Sequence, residues 1–304
     1  MRYWAYGHVI ESAIDLPALK IAPAHAASFS VTAARQGVTP GPRRPAHAHA
    51  RTGANRLRIT IDEDGYCLRF VDGVDFRVSA DGRRVTACRT SASLDVVRRL
   101  LIAHVAPLVL SHLGSFVLHA SAFGTETGAV ALAGASGAGK STLSAYCGLH
   151  GAPIVSDDVL AAEWVEEVFT ASPAGVGLSL RPDTLAALGR LPASGARAAD
   201  GVGKRRLDAA DGLAFVSGPL AIRRLYVLEA TETSRIEVTP LSVRDAALAL
   251  VSQSFVLDAT DRERLRAQFA RACAVAARLP CRRLTFPRSF DLLPRVREAI
   301  LADA

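Results

Sequence analysis

The chain has 304 residues, half of them hydrophobic, enough for one large domain or for a catalytic domain with a smaller companion. Its formal charge of +7 comes without a basic recognition helix, an RNA-binding aromatic signature or zinc-finger spacing, which argues against nucleic acid and leaves an acidic ligand such as a nucleotide. The five cysteines form no C-x-x-C pair and suit reduced thiols in the cytosol, and no secretory h-region follows Met1. The longest apolar stretch, Val96 to Leu118, carries Arg98, Arg99, His104, Pro107 and His112, which argues against a membrane span.

Residues 1–93 read as a β-rich module. Ser28–Ala33 and Arg56–Ile61 alternate apolar and polar side chains, as half-buried strands do. Asp64-Gly65, Asp72-Gly73 and Asp81-Gly82 then separate the short runs Tyr66–Val71, Asp75–Val78 and Arg84–Cys88, which predicts an antiparallel meander. Between the first two runs, Gln36–Asn55 is rich in Pro, Gly, Arg and His without periodicity, so a mobile basic loop is expected there. His47 and His49 lack partner ligands in that stretch, and a solvated pair is favoured over a metal site.

From residue 94 to 304 the pattern is α/β. A helix is expected near Leu94–Leu113, then a strand at Phe116–Ser121 and a buried strand at Gly128–Ala133. Pro153–Ser156 reads as another strand, followed by a strand or turn at Asp158–Trp164. Ala171–Asp211, rich in Gly, Ala and Arg, suggests a helix between long loops. Strands at Ile222–Glu229 and Arg235–Val238, helices at Ser242–Val256 and Thr260–Leu279, a strand at Arg282–Phe286 and a helix from Leu292 complete the chain.

The strongest chemical signal lies after the Gly128–Ala133 run. Gly134-Ala135-Ser136-Gly137-Ala138-Gly139-Lys140-Ser141 fits the P-loop pattern G-x-x-x-x-G-K-S/T, and Thr142 opens the helix that follows. Glycines let consecutive N–H groups curl toward phosphate oxygens, and a helix N-terminus adds positive potential. Lys140 supplies a cation for the terminal phosphates, and the Ser141 hydroxyl can bind Mg²⁺. A nucleoside triphosphate with Mg²⁺ is therefore the expected ligand. Asp157-Asp158 closes the next apolar strand. Adjacent carboxylates repel, so a metal ion is the natural neutraliser, leaving one carboxylate for the metal and one to accept a proton from an attacking hydroxyl. A histidine such as His119 on an apolar strand is by itself more often a core residue than a functional one.

His119 stands 21 residues before Lys140, and Asp157 stands 17 after it. With Leu118-His119-Ala120-Ser121, the P-loop and Val155-Ser156-Asp157-Asp158, this spacing resembles the C-terminal catalytic domain of the HPr kinase/phosphorylase family over residues 113–165. The resemblance implies a P-loop fold related to phosphoenolpyruvate carboxykinase, preceded here by the β-rich module. It implies ATP- and Mg²⁺-dependent phosphorylation of a serine hydroxyl on a protein. Asp157 would then be the base, Asp158 a metal-side carboxylate alongside Ser141, and His119 a neighbour of the transferred phosphoryl group.

The family's Glu-x-Arg-Gly-x-Gly signature has no counterpart; Pro173–Pro182 occupies that region, so neither phosphorylase activity nor hexameric assembly is implied. The chain is more similar to the HPr-kinase-like proteins of lasso-peptide biosynthesis, which phosphorylate a precursor peptide on a C-terminal serine. Ser12–Leu19, Gly218-Pro219-Leu220 and Phe286–Asp291 carry that similarity at low specificity. A peptide or protein with an acceptor serine is the expected partner, nucleic acid and membrane are not, and a homo-oligomer is left open. Lys204, Arg205 and Arg206, with Arg181 as a lesser candidate, could supply a further cation to the transferred phosphate, or form an ordinary solvated charge run. A nucleotide sensor without chemistry, a kinase acting on an HPr-like protein and phosphoryl transfer to a small molecule are the alternative functions.

Overall fold

The computed structural model describes residues 1–23, 25–34, 44–52, 55–89, 92–173, 177–189, 204–231 and 235–303. The chain divides into two compact units, Met1–Val117 with Phe255–Ala267, and Leu118–Ser254 with Gln268–Ala304. This corrects the boundary expected at residue 93: the helical stretch after it belongs to the first unit.

The first unit carries β1 (Arg2–Ala5), β2 (His8–Ser12), β3 (Lys20–Ile21), β4 (Phe29–Ala34), β5 (Arg44–Thr52), β6 (Asn55–Asp62), β7 (Gly65–Phe70), β8 (Val74–Ser79) and β9 (Arg84–Arg89). They form one sheet in the order β3-β1-β2-β4-β9-β8-β7-β6-β5. The Asp-Gly pairs sit between β6, β7, β8 and β9, which pair antiparallel in sequence, as the turn chemistry requires. Two pairings fall outside a simple meander: β4 lies parallel to β2 and to β9, so the first strands join the meander through a non-local contact. The expected mobile loop is also corrected in part. Residues 44–52 form β5, antiparallel to β6; 36–43 and 53–54, like the side chains of His47 and His49, lie outside the described residues.

The helical stretch follows as α1 (Leu94–Leu100), a π-helical turn (Leu101–Val105) and α2 (Ala106–His112). Ser93 caps α1 by accepting from the Val96 N–H. Leu100, Leu101, Val105, Val109 and Leu110 are fully buried, and the Tyr6 hydroxyl reaches the Ile102 carbonyl at 3.0 Å. Segment 255–267 returns to this unit through polar contacts. Tyr66 donates to Asp258 at 3.2 Å, and Arg264 donates to the His112 carbonyl at 2.6 Å.

The unit boundary falls on β10 (Phe116–Leu118). The second unit then runs β11 (Ser121–Thr125), β12 (Gly128–Ala133), α3 (Lys140–Leu149), β13 (Ile154–Ser156), β14 (Leu160–Val165), β15 (Val168–Ser172), β16 (Leu178–Leu180), α4 (Pro182–Ala187), β17 (Arg205–Leu207), β18 (Leu220–Thr231), β19 (Glu237–Pro240), α5 (Val243–Ser252), α6 (Arg262–Arg278), β20 (Cys281–Pro287) and α7 (Leu293–Asp303). The first turns of α6 belong to the first unit.

Its sheet runs β14-β15-β18-β12-β11-β13. β18 organises it. The parallel partner β12 lies along one edge; β15 and then β20 lie along the other. Every residue of β12 is buried, as expected for an unbroken apolar run in the middle of a sheet. Leu132, Leu143, Tyr226, Leu228, Leu284 and Val296 pack into the core beneath α3 and α7. The helix expected within Ala171–Asp211 is the short α4; the β16–β17 ribbon on either side of it was not expected, and 174–176 and 190–203 lie outside the described residues. No helix among the described residues is long and apolar enough to cross a membrane. Among the described residues no two of the five cysteines form a disulfide.

Candidate functional site

β12 delivers the chain to the P-loop, and α3 begins at Lys140. Gly134, Gly137 and Gly139 have φ of +138°, +84° and +99°, conformations that side chains resist. Gly134 is also crowded: an added Cβ would lie 2.7 Å from the Leu228 carbonyl oxygen on β18. Gly134→Ala should therefore destabilise the protein by about 1–3 kcal/mol, seen as a fall of several degrees in Tm. Gly137 has open space instead, and Ala135, Ser136 and Gly137 are exposed. The first turn of α3 has no side-chain cap, which leaves its N–H groups for an anion.

Lys140 is buried at the base of this loop. Its Nζ donates to the Gly134 carbonyl at 2.7 Å and the Ala135 carbonyl at 3.2 Å. Burial lowers its pKa and Lys204 adds to this, while Asp158 and Asp157 hold it up. The loop, its cation and both aspartates therefore share one electrostatic site.

Asp157 and Asp158 follow β13 in a tight turn. The Val159 N–H donates to the Asp157 carbonyl at 2.8 Å, and Asp158 at the centre has φ of +62°, the rarer form of γ-turn. His119 reaches this turn from the residues between β10 and β11, and its Nδ1 lies 2.9 Å from the Asp158 carbonyl oxygen. With Nδ1–H donating to a carbonyl, the neutral ring leaves Nε2 as an acceptor. Burial lowers the His119 pKa, and Lys140 lowers it further, so the neutral ring is the form favoured here. The His119 N–H donates to the Gln253 carbonyl at 2.6 Å.

The Asp157 carboxylate takes donors on both oxygens. Ser121 Oγ donates to Oδ1 at 2.8 Å, and the Ser179 N–H of β16 donates to Oδ2 at 3.1 Å. Desolvation and the Asp158 charge push the Asp157 pKa up to about 6, against a pull from Ser179, Ser141 and Ser121. The Ser141 hydroxyl thus belongs to the same cluster. Asp158 turns outward, and its Oδ2 lies 3.8 Å from Lys204 Nζ.

Of the basic candidates, Lys204 is placed against Asp158. Arg205 and Arg206 follow on β17, half-buried, and Arg181 is exposed at the start of α4. Ser121 and Ser179 escaped the sequence reading. Ser121 had a signal, since it stands two residues beyond His119 and alternate strand residues share a face. Ser179 had none, because it contributes a backbone N–H.

The donor set fits a nucleotide with Mg²⁺: left-handed glycines, uncapped helical N–H groups, a buried lysine and hard oxygen ligands. No group of three or more His, Cys, Asp or Glu among the described residues could hold a metal ion by itself, so phosphate oxygens would complete the coordination.

No family model matches this chain. No curated protein matches it either. Among solved structures, the Hpr(Ser) kinase/phosphatase from Coxiella burnetii is similar over 61% of this chain and 97% of its own, with 14% sequence identity and a TM-score of 0.33.

Proposed function

We propose that this protein is an ATP- and Mg²⁺-dependent kinase that phosphorylates a serine hydroxyl of a peptide or protein, with a lasso-peptide precursor bearing a C-terminal serine as acceptor. The observation that carries the reading is the convergence of Asp157 on the P-loop. A carboxylate with a raised pKa shares one cluster with Ser141 and Lys140. A site that only binds nucleotide has no use for such a base.

In this reading the P-loop N–H groups and Lys140 hold the phosphates, and Ser141 with Asp158 holds Mg²⁺. Bound Mg²⁺ would neutralise charge on the β- and γ-phosphate oxygens. Asp157 accepts the proton of the acceptor hydroxyl while that oxygen bonds to the γ-phosphorus. The bond from the γ-phosphorus to the β,γ-bridging oxygen breaks, and ADP leaves. His119 fixes the Asp158 turn beside the transferred group. Lys204 supplies the second cation, the role for which Arg181, Arg205 and Arg206 were also candidates.

Incubation with γ-labelled ATP and serine-ended precursor peptides, followed by mass spectrometry, tests the reading. A phosphopeptide is expected; no transfer to any peptide or protein, with ATP still bound, would leave a sensor. Lys204→Ala should lower kcat by about 100-fold with little change in the KM for ATP, and Lys204→Arg should recover part of it. An unchanged kcat in Lys204→Ala would remove Lys204 from the site.

A further inference from the structure

We infer that Ser121 is a positioning residue for Asp157, holding its carboxylate in a single orientation for proton transfer; the inference rests on the kinase reading above. Ser121 is the first residue of β11 and pairs with Leu132 of β12, two residues ahead of Gly134. Its hydroxyl is fully buried, and its position relative to the P-loop is set by the sheet.

The torsion that turns a carboxylate is broad and has no sharp minimum of its own. Donors on opposite oxygens set it: Ser121 Oγ on Oδ1 at 2.8 Å and the Ser179 N–H on Oδ2 at 3.1 Å. The backbone donor is fixed by the pairing of β16 with β17. The hydroxyls of Ser121 and Ser141 can be removed by substitution, and Ser121 is the one that lies outside the P-loop.

A buried serine with a structural role alone would lower Tm when removed and leave turnover of the folded protein unchanged, and this separates the two roles. The test measures phosphoryl transfer and ATP affinity on full-length protein whose folded fraction is set by thermal unfolding, with Asp157→Asn measured beside it. In Ser121→Ala kcat should fall about tenfold, since one donor that orients the base is gone, and the KM for ATP should hold. In the Asp157→Asn background the same substitution should cost no further rate.

Ser121→Cys keeps a weaker donor and should give an intermediate kcat; it also serves if the alanine variant does not fold. An unchanged kcat in whichever variant folds, while Asp157→Asn loses transfer, would overturn the inference. Full activity in Asp157→Asn would instead sink the kinase base on which the inference rests.

Discussion

Asp157→Asn should bind ATP as the wild type does and lose phosphoryl transfer by roughly 10²- to 10⁴-fold, the range a positioned general base contributes. The substitution keeps the shape of the side chain but cannot take the hydroxyl proton. Its amide oxygen can accept from Ser121 or from the Ser179 N–H, not from both in the same orientation as the two carboxylate oxygens do. One donor is left short of a partner, while the repulsion between Asp157 and Asp158 disappears. Fold and nucleotide affinity are thus expected to survive, and calorimetric titration with ATP beside a transfer assay separates the two effects. Wild-type levels of transfer would remove Asp157 as the base.

The same residue sets opposite pH trends for activity and stability. Its pKa in the folded protein is raised to about 6 from an ordinary 3.8, so the folded state holds this proton more tightly than the unfolded chain. The stability it contributes is complete below its unfolded pKa and is lost as pH rises through about 6. Transfer needs the carboxylate and should rise across that same point. Asp157→Asn should flatten this contribution to stability as well as abolish the rate.

Much of this site could be read from the residues because its parts are local. A P-loop is eight consecutive residues whose glycines, lysine and serine each have one reason to be there, and the left-handed φ values of Gly134, Gly137 and Gly139 follow from it. The Asp-Gly turns were legible for the same reason, since each determines the pairing of its two neighbours. What was hidden depends on distant partners. Three-residue strands such as β16 and β17 carry too few side chains to show a period, so Leu178, Leu180 and Leu207 look like scattered apolar residues in a Gly- and Ala-rich stretch. Yet this ribbon brings the Ser179 N–H to Asp157 and leads from Lys204, which lies against Asp158. The unit boundary was misplaced for a similar reason. A change from strands to a helix at residue 94 marks a change of element, while the packing of that helix and the return of 255–267 determine the unit.

Lys140→Ala tests the other half of the site and should weaken ATP binding by about 10- to 100-fold, the scale of one charge-assisted contact to a phosphate. The fold should tolerate the change. Lys140 is a buried cation whose pKa is lowered by burial, so it is costly to keep, and its Nζ donates to two loop carbonyls. Its loss should be felt by its neighbours in predictable directions. Asp157 and Asp158 favour the charged lysine, so by the same interaction the lysine favours the charged carboxylates, and without it the Asp157 midpoint should rise. His119 is held down partly by Lys140, so its midpoint should also rise. A nucleotide titration combined with NMR of the His119 ring and of ¹³C-labelled aspartate carboxyls reads these effects. Lys140→Arg should not restore function, because a planar guanidinium cannot sit as a point charge on the Gly134 and Ala135 carbonyls. Unchanged ATP affinity in Lys140→Ala would mean that the loop does not hold phosphate, while weakened ATP binding together with unmoved Asp157 and His119 midpoints would mean that the lysine and the aspartate turn work as separate sites.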